Sequence, residues 1–205
     1  DVHTTSLEGI PEFDRYKTVV VLMSDLDALG SRLIDLMNWV QDGGSVLFAM
    51  TPQKTTYFDA ISPKLGVLSS SWENKTAESI VPTEEFMLGG GQRYELSDPF
   101  ESSLSVSLRE EATVYARTGD EGVPLVWGTK SGAGRVVVDN IGIYDKIMRG
   151  IYAASFSLLC DAAAYPVINS SVFYLDDFPS PVPGGDGTYI RRDYGMSIAD
   201  FYSKV

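Results

Sequence analysis

The sequence contains very few of the residues that enzymes most often use for proton transfer and metal binding. Its 205 residues include one Cys and one His. A single Cys excludes an internal disulfide bond and any Cys-rich zinc site. A single His removes the usual proton shuttle unless His3 supplies it. Much ordinary hydrolytic chemistry, which pairs a nucleophile with an imidazole, is therefore excluded by composition.

Basic residues and long apolar runs are also scarce. Sixteen Lys and Arg stand against 28 Asp and Glu, which gives a net charge of −12 and a pI of about 4.4. No basic stripe can displace counterions from phosphates, so nucleic acid is excluded as a partner. The same acidity disfavours contact with an anionic membrane surface. No apolar run reaches the roughly 18 residues that a membrane-spanning helix needs.

The remaining composition is that of a folded protein. Hydrophobic residues make up 44% of the chain and charged residues 21%, which is typical of globular domains. The length allows one large or two small domains with a buried core. The sequence begins at Asp1, without Met. We therefore expect a piece of a longer protein, with any signal peptide or anchor lying upstream.

The first clear unit is a strand, a helix and a second strand. Residues 17–23 and 45–50 are continuous apolar runs, typical of strands covered on both faces. Between them, Ser24 and Asp25 are candidate helix caps, and a Gly-Gly pair at 43–44 ends the helix. Apolar residues at steps of three and four define its buried side: Leu26, Leu29, Leu33, Leu36 or Met37, and Val40. This unit predicts two parallel strands with a right-handed crossover.

Further along the chain, short strands and turns predict an antiparallel hairpin region attached to the parallel sheet. The signal is weak between residues 51 and 92, where only 79–81 and 86–88 are candidate edge strands. Strand patterns then recur at 104–108, 112–117, 123–128 and 135–139. A long helix is predicted over about residues 145–164, with Asp145 favourable for the helix dipole at its start. The pattern predicts an α/β fold for residues 1–166, and an incomplete C-terminal piece for 167–205.

Three strand ends are candidate sites, because ligands of α/β domains gather beyond the carboxyl ends of parallel strands. At the first, Ser24 and Asp25 are better explained as helix caps. At the second, Thr51 has the position of a nucleophile but no base beside it and no Gly-x-Ser-x-Gly elbow, which favours a structural role. Cys160, in the Ala-rich helix, is similarly interpreted as a small apolar filler.

The third strand end carries two adjacent carboxylates. Asp176 and Asp177 close an apolar strand, where burial and mutual repulsion can separate their proton affinities. One could then act as a base while the other binds a metal. Neighbouring side chains on a regular strand point to opposite faces, so both reach one pocket only if the chain turns after them. The following Phe178 and Pro179 favour such a turn.

Residues 16–165 resemble the class I glutamine-amidotransferase-like fold. The resemblance lies in the strand at 16–22, in the helix end Trp-Val-Gln-Asp-Gly-Gly-Ser at 39–45, and in the strand that follows. It implies a flavodoxin-like sheet, mainly parallel, whose first strand and helix are missing or lie upstream. The nucleophilic Cys of the family falls near Thr51, and no His–Glu pair follows downstream. The resemblance therefore implies a catalytically inactive member, similar to the non-catalytic relatives appended to glycoside hydrolases.

A second resemblance begins at the acidic pair. Residues 172–181, Val-Phe-Tyr-Leu-Asp-Asp-Phe-Pro-Ser-Pro, resemble the opening strand and motif of NodB-type polysaccharide deacetylases, with Phe178 in place of the motif's Gly. The order of the two parts is similar to an uncharacterised bacterial family of extracytoplasmic proteins. The resemblance implies that Asp176 is the general base and Asp177 a metal ligand. The His pair that completes such a metal site is missing from this chain.

We therefore expect residues 1–166 to be a non-catalytic accessory domain that braces a deacetylase or forms a subunit interface. The fragment itself is expected to be inactive and to hold no cofactor, with zinc or another divalent metal in the full-length protein. The expected partner is a polysaccharide or cell-wall glycan, the expected location is outside the cytoplasm, and an oligomer is allowed.

Two alternatives remain open at the level of sequence. The first is a carbohydrate-binding or oligomerisation module without a catalytic partner, in which Trp39, Trp72 or Trp127 supplies a stacking surface for sugars. The second is an α/β hydrolase that uses Thr51 or Ser24 as its nucleophile.

Overall fold

Seven strands form one mixed sheet in the part of the chain that the computed structural model describes, residues 2–143, 146–162 and 195. The strands are β1 (Thr18–Val21), β2 (Ser45–Phe48), β3 (Val67–Pro82), β4 (Tyr94–Leu108), β5 (Thr113–Thr118), β6 (Pro124–Ser131) and β7 (Gly134–Asp139). Their order across the sheet is β1-β2-β7-β6-β5-β3-β4. The helices are α1 (Ser31–Gln41), α2 (Thr56–Ile61) and α3 (Arg149–Ser157). The predicted α/β class is confirmed.

The predicted strand–helix–strand unit is confirmed, with a later start for its helix. Strands β1 and β2 pair in parallel, and β2 pairs in parallel with β7. Residues Leu26–Leu29 form a short 3-10 turn, and α1 begins only at Ser31. The 3-10 turn and α1 are separated by Gly30, because its φ of +53° interrupts the helical backbone. The side chain of Asp25 accepts a hydrogen bond from the Asp27 N–H, as expected of a cap.

The antiparallel part of the sheet is larger than predicted. Strands β7, β6, β5, β3 and β4 pair antiparallel in turn, so antiparallel pairs outnumber parallel ones. The additional antiparallel pairing comes mainly from β3 and β4, which are 16 and 15 residues long. The predicted strand patterns at 79–81 and 104–108 lie within them. The rest of the two strands has mostly exposed or half-buried side chains, so it carries no alternation of apolar residues. Residues 86–88 lie in the turn between the two strands and are not an edge strand.

Helix α3 is shorter than the helix predicted over 145–164. A 3-10 turn, Lys146–Met148, precedes it, and residues 158–162 form turns and bends after it. After Ser157 the N–H groups bond three residues back, as in the bond from the Leu159 N–H to the Phe156 carbonyl, which is the tighter 3-10 pattern. Residue Asp145 lies outside the described residues.

Two apolar clusters occupy opposite faces of the sheet, because successive strand residues point to opposite sides. One cluster packs α1 on Val46, Phe48 and Val136. The other packs α3 on Leu47 and Val137. None of the described helices is long and apolar enough to cross a membrane. The chain divides into two units, Asp1–Tyr165 and Pro166–Val205, and the deacetylase-like character of the second unit stays a prediction.

Candidate functional site

The carboxyl ends of the three parallel strands bring together two of the predicted site residues. Ser24 follows β1, Thr51 follows β2, and Asn140 follows β7. The loops after these strands are hydrogen-bonded to one another: the Gln53 N–H donates to the Ser24 carbonyl at 2.9 Å, and the Thr51 N–H donates to the Ile141 carbonyl at 3.3 Å. Ligands of α/β domains usually bind at this edge.

One of these strand ends, that of β7, is bonded to the protein's own strand β4. Asn140 is fully buried, and its side-chain amide pairs with the backbone of Leu104. The Leu104 N–H donates to Asn140 Oδ1 at 2.7 Å, and Asn140 Nδ2 donates to the Leu104 carbonyl at 2.9 Å and to the Pro124 carbonyl at 2.9 Å. The Ser103 hydroxyl donates to the Asn140 carbonyl at 2.9 Å. The Asn140 amide therefore bonds β4 as a neighbouring strand would, across the end of β7.

Thr51 is also buried at this edge. The residue is 7% exposed, and its hydroxyl has no hydrogen-bond partner among the residues that the structure describes. The sole His of the sequence lies elsewhere: His3 Nδ1 is 3.2 Å from the Tyr16 hydroxyl. Tyr16 precedes β1, at the opposite end of that strand from the carboxyl edge. The sole imidazole of the sequence therefore lies away from Thr51, and within the described part of the chain the Thr51 hydroxyl is buried.

A buried carboxylate at this edge was not predicted from the sequence. Asp139 is the last residue of β7 and is fully buried. The Ser155 hydroxyl of α3 donates to its Oδ1 at 2.6 Å, whereas its Oδ2 has no partner within the described residues. Burial raises the pKa of Asp139 to about 7, although the Ser155 hydrogen bond acts to lower it. The sequence feature that could have indicated this buried carboxylate is the position of Asp139 directly after the apolar run 136–138.

A cleft of about 820 Å³ opens at the opposite, amino edge of the parallel strands. Tyr16, Trp39, Asp42 and Arg135 are among its lining residues. The Arg135 guanidinium donates to Asp161 at 2.9 Å within it.

Cys160 also lines the cleft. This cysteine is half-buried, in the turn after α3, so the prediction of a thiol deep inside a helix is wrong because the helix ends at Ser157.

The three Trp residues, predicted as candidate sugar platforms, lie in different surroundings. Trp127 is fully buried, and its Nε1 donates to the Leu65 carbonyl at 2.8 Å. Trp39 is half-buried, with its ring centroid 6.0 Å from that of Phe13. Trp72 is 76% exposed. Of the three, only Trp72 presents most of its surface to solvent.

The predicted acid–metal pair, Asp176 and Asp177, lies outside the described residues, and their roles stay predictions. Among residues 2–143 and 146–162, no group of three His, Cys, Asp or Glu side chains is arranged to hold a metal ion.

These features define a mixed α/β domain, consistent with a flavodoxin-like fold, in which β4 of the same chain is bonded to Asn140 at the usual ligand edge. The chain belongs to the bacterial family described as "Uncharacterised protein conserved in bacteria (DUF2194)", whose model matches residues 1–114 and 96–205. A search of curated proteins found no match.

Several solved structures are similar to this chain at low sequence identity. The cytoplasmic protein STM3548 from Salmonella typhimurium is 13% identical, with a TM-score of 0.53 over 74% of each chain. An exo-β-1,4-mannosidase from Opitutaceae bacterium strain TAV5 is 23% identical, with a TM-score of 0.43, and covers 64% of this chain. A β-galactosidase from Bacillus circulans sp. alkalophilus is 15% identical, with a TM-score of 0.49, and covers 72% of this chain. The chain spans 22% and 23% of the length of these two enzymes.

Proposed function

We propose that residues 1–165 are a non-catalytic, amidotransferase-like accessory domain of an extracytoplasmic carbohydrate-active protein. The observation that carries this proposal is the pairing of the Asn140 amide with the Leu104 backbone. A substrate of a flavodoxin-like domain needs access to the carboxyl edge of the parallel strands. Here β4 is bonded to that edge at Asn140, and we infer that the domain offers stability and surface in place of a reaction centre.

The environment of Thr51 supports the same proposal. A hydroxyl nucleophile needs a base within hydrogen-bond reach and a place for the substrate beside it. The Thr51 hydroxyl has no partner among the described residues and is buried. An α/β hydrolase that uses Thr51 is therefore disfavoured relative to the accessory role.

The proposal extends to the acidic pair of the second unit. Asp176 would be the general base and Asp177 a metal ligand of a polysaccharide deacetylase that acts on a cell-wall or other glycan. The donors of this chain do not fit the metal site of such a deacetylase, because that site includes a pair of His ligands and the sequence contains one His, at position 3. The remaining ligands would be contributed by a longer polypeptide.

An acetate-release assay on acetylated chitooligosaccharides tests the proposal. The 205-residue chain is expected to release no acetate with or without added zinc, and release above the blank would overturn the proposal. A longer polypeptide that continues past Val205 is expected to release acetate and to lose this activity in Asp177→Ala. The matched variant Thr51→Val is expected to keep it, because the Thr51 hydroxyl takes part in no step.

A further inference from the structure

One large aromatic side chain, that of Trp72, is exposed to solvent and takes no part in the hydrophobic core. Trp72 lies on β3 and is 76% exposed. It belongs to neither of the two apolar clusters. A Trp side chain contributes most to stability when its large apolar surface is buried. The exposure of Trp72 is therefore not explained by folding.

The backbone of β3 bulges at Trp72. Ser70 pairs with Val106 of β4, and the next pair joins Asn74 to Leu104. Four steps along β3 thus correspond to two steps along β4, and the two additional residues fall in the segment that contains Trp72. Bulges of this kind redirect side chains and are frequent next to binding sites.

A partly buried ammonium group lies against the indole ring. The side chain of Lys54 is 13% exposed, and its Nζ donates to Asp59 Oδ1 at 2.7 Å and to Ser70 Oγ at 2.8 Å. The same Nζ lies 5.5 Å from the centroid of the Trp72 ring, within the range of a cation–π interaction. Because the two hydrogen bonds fix Lys54, the ring is held on one side and remains accessible to solvent on the other.

We propose that Trp72 is a stacking platform for a neutral hexopyranose unit of a polysaccharide. A pyranose has a face of C–H groups, which packs on an aromatic ring, and a rim of hydroxyls, which needs hydrogen-bonding groups around that ring. Polar groups lie on the supported side of the ring, because Lys54 Nζ bonds to Ser70 Oγ and to Asp59, which is half exposed.

Charge and composition distinguish this ligand from other partners. Asp59 compensates the charge of Lys54, and the net charge of the chain is −12, so an anionic polymer would be repelled. The buried core of a protein–protein interface is apolar. Leu68 is the one large apolar residue among the exposed side chains of β3 apart from Trp72 itself. The inference goes beyond the accessory role and does not depend on it, since glycan binding is measured without any catalytic step.

Titration of the 205-residue chain with cellohexaose, mannohexaose and N-acetylchitohexaose tests the proposal. Calorimetry and tryptophan fluorescence are expected to show saturable binding of at least one of them. Trp72→Ala is expected to weaken that binding by about tenfold or more, because the stacking contact is lost.

The matched control Leu68→Ala removes another apolar side chain of the same strand, which is 64% exposed, and is expected to leave the affinity unchanged. Lys54→Met is expected to cause a smaller loss than Trp72→Ala, because the ring remains but loses its support.

Three results would overturn the proposal. The first is absence of saturable binding of all three oligosaccharides at millimolar concentration. The second is equal affinity of Trp72→Ala and the unmodified chain. The third is self-association in sedimentation velocity that Trp72→Ala abolishes, which would assign the ring to a contact between two copies. Trp72 is outside the core, so its variants are expected to fold, and circular dichroism checks this directly.

Discussion

The Ser155 hydroxyl of α3 donates a 2.6 Å hydrogen bond to Asp139 Oδ1 at the end of β7, in a fully buried position. Burial raises the pKa of this carboxyl from 3.8 to about 7. The protonated form is therefore favoured in the folded state relative to the unfolded chain. The contribution of Asp139 to stability is fully present below about pH 4, falls as the pH rises from about 4 to 7, and is constant above that.

We predict that Asp139→Asn removes this pH dependence. The variant keeps the side-chain shape without a charge, so it is expected to be more stable than the unmodified chain at pH 8 by up to about 4 kcal/mol, and similar to it at pH 4. Urea unfolding of both proteins at pH 4, 6 and 8 measures the difference. If the two free energies of unfolding change in parallel with pH, Asp139 does not titrate as proposed.

The pairing of Asn140 with β4 leads to a second prediction. Asn140→Ala leaves the N–H and carbonyl of Leu104 and the carbonyl of Pro124 without their partner. Each buried polar group that loses its hydrogen bond costs about 1 kcal/mol or more, so we expect a loss of about 3 kcal/mol in the free energy of unfolding. Hydrogen exchange at the Leu104 amide should accelerate as β4 separates from the carboxyl edge.

Asn38→Ala is the control for this prediction. Asn38 is exposed on α1, and its replacement is expected to change stability by less than about 0.5 kcal/mol. An Asn140→Ala protein as stable as the Asn38→Ala protein, with unchanged exchange at Leu104, would show that β4 does not depend on the amide.

Local sequence signals predicted the parallel part of the fold, but only the last residues, 104–108, of the strand β4 that bonds to its carboxyl edge. The runs at β1 and β2 and the stripe of α1 predict their elements because burial selects apolar residues at a fixed period. Most residues of β3 and β4 are polar, and these strands form through pairing between residues that are distant in the sequence. The role of Asn140 depends on Leu104, 36 residues away, and an isolated Asn after a strand carries no signal of such a contact.

The Gly-Gly step at the end of α1, which was predicted as a helix stop, has an additional packing role. A Cβ atom at Gly44 would overlap the indole ring of Trp39. We therefore predict that Gly44→Ala displaces Trp39 from the start of β2 and lowers the free energy of unfolding by about 1 to 3 kcal/mol, as overpacked sites do. Thermal unfolding monitored by tryptophan fluorescence measures both effects.

Gly150→Ala is the matched control for Gly44→Ala. A Cβ at Gly150 would meet only the Met87 methyl, at 3.7 Å, and Gly150 lies in α3. Because Ala is the better helix former, this variant is expected to be as stable as the unmodified chain or more stable by up to about 1 kcal/mol. Equal destabilisation by the two substitutions would contradict a specific role of the contact between Trp39 and Gly44.

The buried Thr51 hydroxyl leads to the last prediction. Because this hydroxyl has no partner among the described residues, Thr51→Val exchanges an unsatisfied polar group for a methyl group of similar size. We expect Thr51→Val to keep or raise the free energy of unfolding, by up to about 1 kcal/mol.

Thr118 gives the matched comparison, because it is also buried but its hydroxyl accepts a 2.9 Å hydrogen bond from the Val123 N–H. Thr118→Val is therefore expected to lose about 1 to 2 kcal/mol. A loss at Thr51 as large as the loss at Thr118, measured by urea unfolding, would mean that the Thr51 hydroxyl is bonded, and the argument against its use as a nucleophile would lose its structural basis.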